Sequence, residues 1–305
     1  MAELSPVRQR YDERYLDIDS NNLSTTNAIT PAIDQNSVAI SHVNIRSLNK
    51  NFENLKQLYE DESESKFDII GISETWNVVN PDALKLSDYN LELKCRGNGK
   101  GGGVGAYIRS SINYTRINDF NTHCAESLWL RLNLNKILVI GIVYRKPSSD
   151  IHEFMNEMNL ILDKMKIDKY SVVILGDFNV NLLSDDEKSC ALLNMMECYG
   201  LHQLIEVPTR ITKSSKTLID HIYTNIHDYF ETGCIEIDVS DHFPVYVLLK
   251  MVNNHVLQQK KIKCRNYKHF QPENFCRDLQ NANWQNVYET NDPNEAYRYF
   301  FPDFR

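Results

Sequence analysis

The apolar run Val172-Val173-Ile174-Leu175 gives way to Gly176-Asp177-Phe178-Asn179. A short apolar run that stops at a glycine reads as a buried strand. In a strand, residues i and i+2 point to the same side. Asp177 and Asn179 can therefore reach one point in space where a core strand ends. A carboxylate and a carboxamide so placed suit the holding of a water and a phosphate oxygen. Taken alone, an Asp-x-Asn after a strand is more often a turn. Three other places repeat the design. Val38 to Asn44 is strand-like and ends on Asn44, and Phe67 to Glu74 is strand-like and ends on Glu74. Ser240-Asp241-His242 stands just before the strand-like run Phe243 to Leu249. Each has a bland alternative: a turn cap at Asn44, a helix start at Glu74, a surface loop at Asp241-His242. The set as a whole points the other way, because every member sits at a strand edge.

These groups need a scaffold. The chain has 305 residues, and a block spanning 37–250 can bury a core without staples. Ile151, Phe154, Met158, Ile161 and Met165 recur at helical spacing and predict a core-facing helix. Leu192, Leu193, Met195 and Met196 predict a second, shorter one. Ser127 to Leu134 and Lys136 to Tyr144 read as a hairpin joined at Asn133-Leu134-Asn135. Strand and helix signals interleave, as in packed α/β layers. Residues 1–36 are polar and aperiodic and read as a mostly disordered arm. Residues 251–305 are polar and aromatic with weak periodicity, a linker-like tail.

Composition narrows the class. Hydrophobic content of 42% and charged content of 24% are those of an ordinary globular protein. No apolar run approaches a membrane span, and the N-terminus has no apolar signal core. The 7 cysteines are scattered and lack any C-x-x-C pair, which argues against a zinc module and for a reducing compartment, nuclear or cytoplasmic. The formal charge of −8 is awkward for a protein that binds DNA phosphates. Part of that acid belongs to the candidate site, and more lies in Glu60-Asp61-Glu62-Ser63-Glu64 and Asp185-Asp186-Glu187. The densest basic run is Lys260-Lys261-Ile262-Lys263-Cys264-Arg265, equally a solvated linker or a phosphate contact.

The order of several short motifs is more specific than any one. Asn44-Ile45-Arg46-Ser47-Leu48, Ser73-Glu74-Thr75-Trp76, Gly101-Gly102-Gly103-Val104 and Tyr144-Arg145-Lys146-Pro147 come first. Gly176-Asp177-Phe178-Asn179, Pro208-Thr209-Arg210, Ile219-Asp220-His221-Ile222 and Ser240-Asp241-His242 follow. This series resembles the endonuclease/exonuclease/phosphatase superfamily, and within it the apurinic-type endonuclease domain of LINE-type (non-LTR) retrotransposons. The resemblance covers residues 37–250. It implies a four-layer α/β sandwich, with two facing mixed sheets flanked by helices. It implies a Mg²⁺-dependent endonuclease, with Mn²⁺ as a substitute, that nicks duplex DNA. DNA is the implied partner, with no membrane and no obligate protein partner.

The resemblance also assigns roles. Glu74 and Asn44 would hold the metal, a hard ion that prefers oxygen ligands, with Asp241 on the metal side. Asp177 would be the base or orienter of the attacking water, and Asn179 would hold a phosphate oxygen. Asp220 would pair with His242 and keep its imidazole protonated, facing the phosphate. Tyr144 and Thr209 would donate to phosphate oxygens. Of the two Asp-His pairs, Asp241-His242 fits the family pattern. His221 would alternate to the face opposite Asp220 and reads as a packed or surface histidine.

Other readings remain open. The same superfamily holds abasic-site repair nucleases and phosphatases, and a catalytically idle nucleic-acid-binding remnant is a different class of answer. No Tyr-x-Asp-Asp polymerase motif occurs, which suggests a truncated element, a fragmentary gene model or a domesticated remnant. Gly97-Asn98-Gly99-Lys100-Gly101-Gly102 matches G-x-G-x-x-G, but Val104 to Arg109 after it reads as a strand, not the helix a dinucleotide site needs. The loop is expected to be a flexible lead-in to that strand, beside the substrate.

Overall fold

A computed structural model describes residues 37–60, 67–96, 101–117, 120, 122–134, 136–184, 186–237, 239–250 and 271–300. The expected arm 1–36 and the basic run 260–265 lie outside them. The chain divides into two compact units after residue 254.

The first unit is built on two six-stranded sheets. Its strands are β1 (Ser37–Asn44), β2 (Ile69–Ser73), β3 (Tyr89–Lys94), β4 (Val104–Arg109), β5 (Tyr114–Ile117), β6 (Ala125–Asn133) and β7 (Ile137–Arg145). They continue with β8 (Ser171–Asp177), β9 (His202–Gln203), β10 (Arg210–Ile211), β11 (Lys216–Thr217), β12 (Asp220–Thr224), β13 (Tyr229–Cys234) and β14 (Val245–Lys250). One sheet runs β13-β14-β1-β2-β4-β3 and the other β5-β6-β7-β8-β12-β9, with β10-β11 a small separate ribbon. Both sheets are mixed: β1–β2 and β7–β8 pair parallel and their other neighbours antiparallel. The expected hairpin is present as β6–β7.

Alternation along β1 separates the layers. Val38 and Ile40 join the large core that also takes in the second sheet, while Ala39 and Val43 join a smaller core around helix α1 (Leu48–Tyr59). Leu48, Phe52, Leu55 and Tyr59 form the buried stripe of α1. Helices α2 (Ile151–Met165) and α3 (Glu187–Cys198) add Phe154, Met158, Ile161, Leu192 and Met196 to the large core. The predicted stripe of α2 holds except at its end, where Met165 is half-buried and the chain turns at Lys166 (φ 50). Asp150 starts α2 by accepting from His152 N and Glu153 N at 2.8 and 2.9 Å. The result is the expected four-layer α/β sandwich.

Buried on both faces, β7 and β8 read as nearly continuous apolar runs. Gly176 is required there: a Cβ on it would strike the carbonyl oxygen of Val143 on β7.

The second unit contributes three helices where a linker-like tail is expected: α4 (Pro272–Asn281), α5 (Gln285–Glu289) and α6 (Pro293–Phe300). Pro272 and Pro293 supply starts, since proline is tolerated in the first turn. No helix among the described residues is long and apolar enough to cross a membrane.

Candidate active site

Register alone gathers the chemistry at one end of the sandwich. Asn44 and Ser73 face each other at the ends of parallel β1 and β2. Tyr144 lies opposite Asp177 at the ends of parallel β7 and β8, and Asp220 opposite Asp177 at the start of antiparallel β12. His42 pairs with Val245, so the start of β14 and the residues before it come back beside the end of β1.

The pairing of β1 with β2 continues past both strands. Ile45 N donates to Ser73 O, Ser47 N to Glu74 O and Leu48 N to Thr75 O, at 3.0, 2.8 and 3.1 Å. On the other side, Trp76 N donates to Gly102 O at 2.7 Å and Thr75 N to Gly103 O at 3.3 Å. The glycine-rich segment thus braces the Glu74 turn, with the carboxylate of Glu126 accepting from Gly103 N and from Arg96. Arg46, Ser47, Glu74, Trp76 and Asn179 all take positive φ (45, 91, 53, 58 and 50°), a conformation that costs non-glycine residues energy and collects at functional sites.

Asn44 sits at the centre. Its amide nitrogen donates to Glu74 Oε1 at 2.9 Å and to Asp177 Oδ2 at 2.8 Å, and its oxygen accepts from Arg46 N at 3.2 Å. The second oxygen of Glu74 accepts from the Trp76 indole at 3.1 Å. Asp177 is buried, and burial followed by the charge of Asp220 pushes its carboxyl up to about 7. Tyr144 is buried beside it. Burial first, then the charges of Glu74 and Asp177, raises its hydroxyl and keeps it a donor.

His242 Nδ1 meets Asp220 Oδ2 at 2.8 Å. Burial would lower the pKa of His242, but Asp220, by charge and hydrogen bond, outweighs it and lifts the imidazole to about 9. The same pair acts in reverse on Asp220. Burial opposes its ionisation and the His242 imidazolium prevails, so the carboxyl is held below its usual range. Thr209 Oγ1 donates to the same Asp220 oxygen at 2.7 Å while accepting from Ile219 N and Asp220 N at 3.2 and 3.0 Å. A hydroxyl has one proton, and here Asp220 takes it, so Thr209 reaches the site through Asp220. Ser240 Oγ donates to Asn44 O at 2.6 Å and accepts from His242 N at 3.1 Å, which ties the His242 turn to β1.

Asp241 stands between two arginines. Arg46 Nη1 donates to Oδ2 at 2.7 Å, and Arg210 donates to that same oxygen through Nε at 2.9 Å and Nη2 at 2.7 Å. Those bonds outweigh partial burial and hold its carboxyl down near 2. Asn179 lies just past β8 in a turn: its N–H donates to Asp177 Oδ1 at 3.0 Å and its amide nitrogen to Arg145 O at 2.8 Å. The turn geometry prevails over the shared strand face, and one of the amide's two N–H groups is committed to the backbone. His221 is packed, stacked on Phe178 with ring centroids 4.9 Å apart and bonded to Val180 O and Leu218 O. Burial lowers it to about 4, so it is neutral.

Three residues belong to this constellation that pattern alone did not single out for a role. Arg46 and Arg210 stand inside quoted motifs, and their geometry could not be read from spacing. His42 had a signal: it is two residues before Asn44 on the same strand, hence on the same face.

The donor set fits a hard cation. Glu74 and Asp241 bring carboxylate oxygens, Asp241 Oδ1 is buried without a hydrogen-bond partner, and Asn44, whose nitrogen now faces Glu74, would have to turn its amide over to add its oxygen. Asp177, Asp220 and His242 also offer atoms within 4.8 Å of one another. In that trio His242 would bind a metal only after giving up its Nε2 proton, with Nδ1–H still held by Asp220.

The family model for the Endonuclease/Exonuclease/phosphatase family matches residues 42–242. The chain belongs to this family. Members of the family are hydrolases, phosphoesterases and nucleases that often depend on a metal ion. A search of curated proteins by sequence returns no match. Among solved structures, the endonuclease domain of TRAS1, a telomere-specific non-LTR retrotransposon, is similar at 16% identity and TM-score 0.56, over 70% of this chain and 98% of that one. AP endonuclease LMAP from Leishmania major is similar at 14% identity and TM-score 0.58, over 74% and 92%. A 3′ phosphatase, NExo, from Neisseria, solved with a product DNA hairpin, is similar at 15% identity and TM-score 0.51, over 70% and 99%. At these identities the likeness is one of fold.

Proposed function

We propose that this family member is a Mg²⁺-dependent endonuclease that nicks duplex DNA, as in the target-nicking step of non-LTR retrotransposition. The observation that carries the reading is the amide of Asn44 bonded at once to Glu74 and Asp177, with the Asp220–His242 pair beside Asp177. A carboxylate raised by burial is a competent base near neutral pH. An imidazolium held by a buried carboxylate is a fixed positive charge of the kind that stabilises a phosphoryl transition state.

In this mechanism Asp177 orients a water and takes its proton as the oxygen attacks phosphorus. The bond from phosphorus to the leaving sugar oxygen breaks, and that oxygen takes a proton from solvent. His242 and the Tyr144 hydroxyl offer N–H and O–H to the non-bridging oxygens, and Asn179 steadies one of them. Asp220 keeps His242 charged, and Thr209 keeps Asp220 in place. Mg²⁺ held by Glu74 and Asn44, with Asp241 on the same side, would act as Lewis acid at the scissile phosphate and steady the departing oxygen. Arg46 and Arg210, with side chains 47% and 36% exposed, give an acidic chain cationic groups at the rim for neighbouring phosphates.

Support for DNA over other phosphoesters comes from the ordered motifs. It also comes from the names borne by fold neighbours, a retrotransposon endonuclease domain and a phosphatase bound to a DNA hairpin. The test is incubation of the full chain with supercoiled plasmid. Relaxed circles with Mg²⁺ and none in excess EDTA are expected, and undiminished nicking in EDTA overturns the metal assignment. Cleavage confined to abasic duplexes, or hydrolysis of inositol phosphates without nicking, moves the chain to the repair or phosphatase branch.

A further inference from the structure

Asp220 has a second histidine. Its Oδ2 carries both known donors, Thr209 and His242, and its Oδ1 is buried without any hydrogen-bond partner. An ionised carboxylate oxygen left bare in a protein interior is costly. The group that faces it is His42 Nδ1, 3.9 Å away, which is also buried without a partner. Two orphaned buried atoms thus point at each other across the gap between the sheets.

The sequence places His42 there for simple reasons. It alternates on β1 with Ile40 and Asn44, so it faces the second sheet. Gly71 opposite it on β2 leaves room: a Cβ there would lie 3.6 Å from His42 Cδ2 and 3.1 Å from both Ile142 and Leu175 side chains. The other ring nitrogen, Nε2, lies 3.2 Å from Ser73 Oγ.

The tautomer follows from electrostatics. A neutral imidazole carries a hydrogen on one nitrogen and a lone pair on the other. A lone pair on Nδ1 would face a carboxylate, which is repulsive. A hydrogen on Nδ1 faces it favourably, and Nε2 then accepts from the Ser73 hydroxyl. At 3.9 Å the N–H and the carboxylate attract without a formed hydrogen bond, and a swing of about 1 Å closes one.

We propose that His42 is a positioning residue for the Asp220–His242 pair. With Nδ1 protonated it holds the second oxygen of Asp220, so that the first stays aimed at His242. The idea rests on the reading of His242 as the phosphate-facing histidine, and deepens it: Asp220 is clamped between two imidazole rings, one turned to the phosphate and one fixed between the sheets. His42 touches no substrate and acts through Asp220 alone.

Variants of the full chain and one spectroscopic measurement test it. His42→Phe keeps a ring and removes the donor, while His42→Asn puts an amide N–H close to the place of Nδ1. His42→Phe is expected to lower kcat for plasmid nicking about 10- to 100-fold, as loss of such an outer support does, and His42→Asn to recover most of it. KM should stay within about twofold, and in an Asp220→Asn background His42→Phe should cost nothing further. Equal losses in both variants that track a fall in melting temperature would overturn the proposal in favour of plain packing. Side-chain ¹⁵N NMR of the wild-type chain should show Nδ1 protonated and Nε2 bare at His42; the opposite tautomer would overturn it. The His242 Nδ1–H resonance should shift or broaden in His42→Phe and return in His42→Asn. This signal is read without turnover, so it still decides the role of His42 if the wild-type chain nicks nothing and the proposed function itself fails.

Discussion

Asn44 donates to Asp177 at 2.8 Å, a bond between the last residue of β1 and the last residue of β8, 133 positions apart in the chain. It joins the two sheets at the end where every candidate group gathers. The same nitrogen also reaches Glu74, so one amide spans two carboxylates.

Removing that amide should be felt twice. Asn44→Leu leaves buried Asp177 Oδ2 without a donor, which costs about 1–3 kcal/mol of stability. Nicking should fall at least 100-fold. Urea denaturation with and without Mg²⁺ separates the two: the metal should stabilise the wild type and do so much less in the variant.

The pH dependence should be bell-shaped. Asp177 must lose its proton, with the acid limb at about 7, and His242 must keep its own, with the alkaline limb at about 9. Bound Mg²⁺ should move the acid limb down, since a cation favours the carboxylate. Stability has its own sign. The pKa of His242 is raised on folding from 6.5, so its contribution is whole below 6.5 and lost as pH rises through about 9. Asp177 is also raised, from 3.8, so the folded state loses ground as pH rises through about 7. Both act in one direction: denaturation midpoints should fall from pH 3.8 to about 7 through Asp177 and from 6.5 to about 9 through His242. A flat profile between pH 6.5 and 9 would contradict the pairing of His242 with Asp220, which is what raises the imidazole.

His242→Ala should lower turnover of the folded protein by orders of magnitude, and it also costs stability by leaving buried Asp220 without its charged partner. Asp220→Asn should be nearly as damaging, and the double variant little worse than either, because the pair acts as a unit. His221→Ala is the control for chemistry but not for stability. It deletes a ring stacked on Phe178, at a cost on the order of 2–5 kcal/mol. Turnover of the folded fraction should survive. Loss of turnover in a folded His221→Ala protein would reverse the choice between the two Asp-His pairs.

Arg210→Ala and Asp241→Asn remove opposite ends of one interaction. Each should slow nicking about tenfold or more, and a double-mutant cycle should show them coupled. Arg46→Ala, at the more exposed end, should chiefly raise KM and flatten its salt dependence by about one phosphate contact.

Much of this was legible in the chain itself. Apolar runs from Ile137 to Tyr144 and from Val172 to Leu175 predict central strands, and the 151–165 stripe predicts its helix, because periodicity records which faces are buried. The residues at the strand ends, Asn44, Glu74, Asp177 and His242, announce themselves by being polar where an apolar pattern stops. Edge strand β3 alternates cleanly, as a half-exposed strand does, whereas β5 and β13 mix polar and apolar residues without a clear period and are held by their pairing partners. The helices of 272–300 are short and polar on average, so few apolar positions mark their period.

Partners were a different matter. The layers, the strand ends and the cast of side chains follow from local periodicity and residue type, which any stretch of the chain carries within itself. It takes the folded chain to show that Asp241 lies between Arg46 and Arg210, that Thr209 gives its proton to Asp220, that Asn179 turns back to Arg145, and that His42 faces Asp220. These pairs stand from 11 to 195 positions apart in the chain, and the distance between them depends on strand register and on how one sheet lies over the other. No local pattern encodes that, since a register slip of one residue would turn every side chain of a strand to its other face.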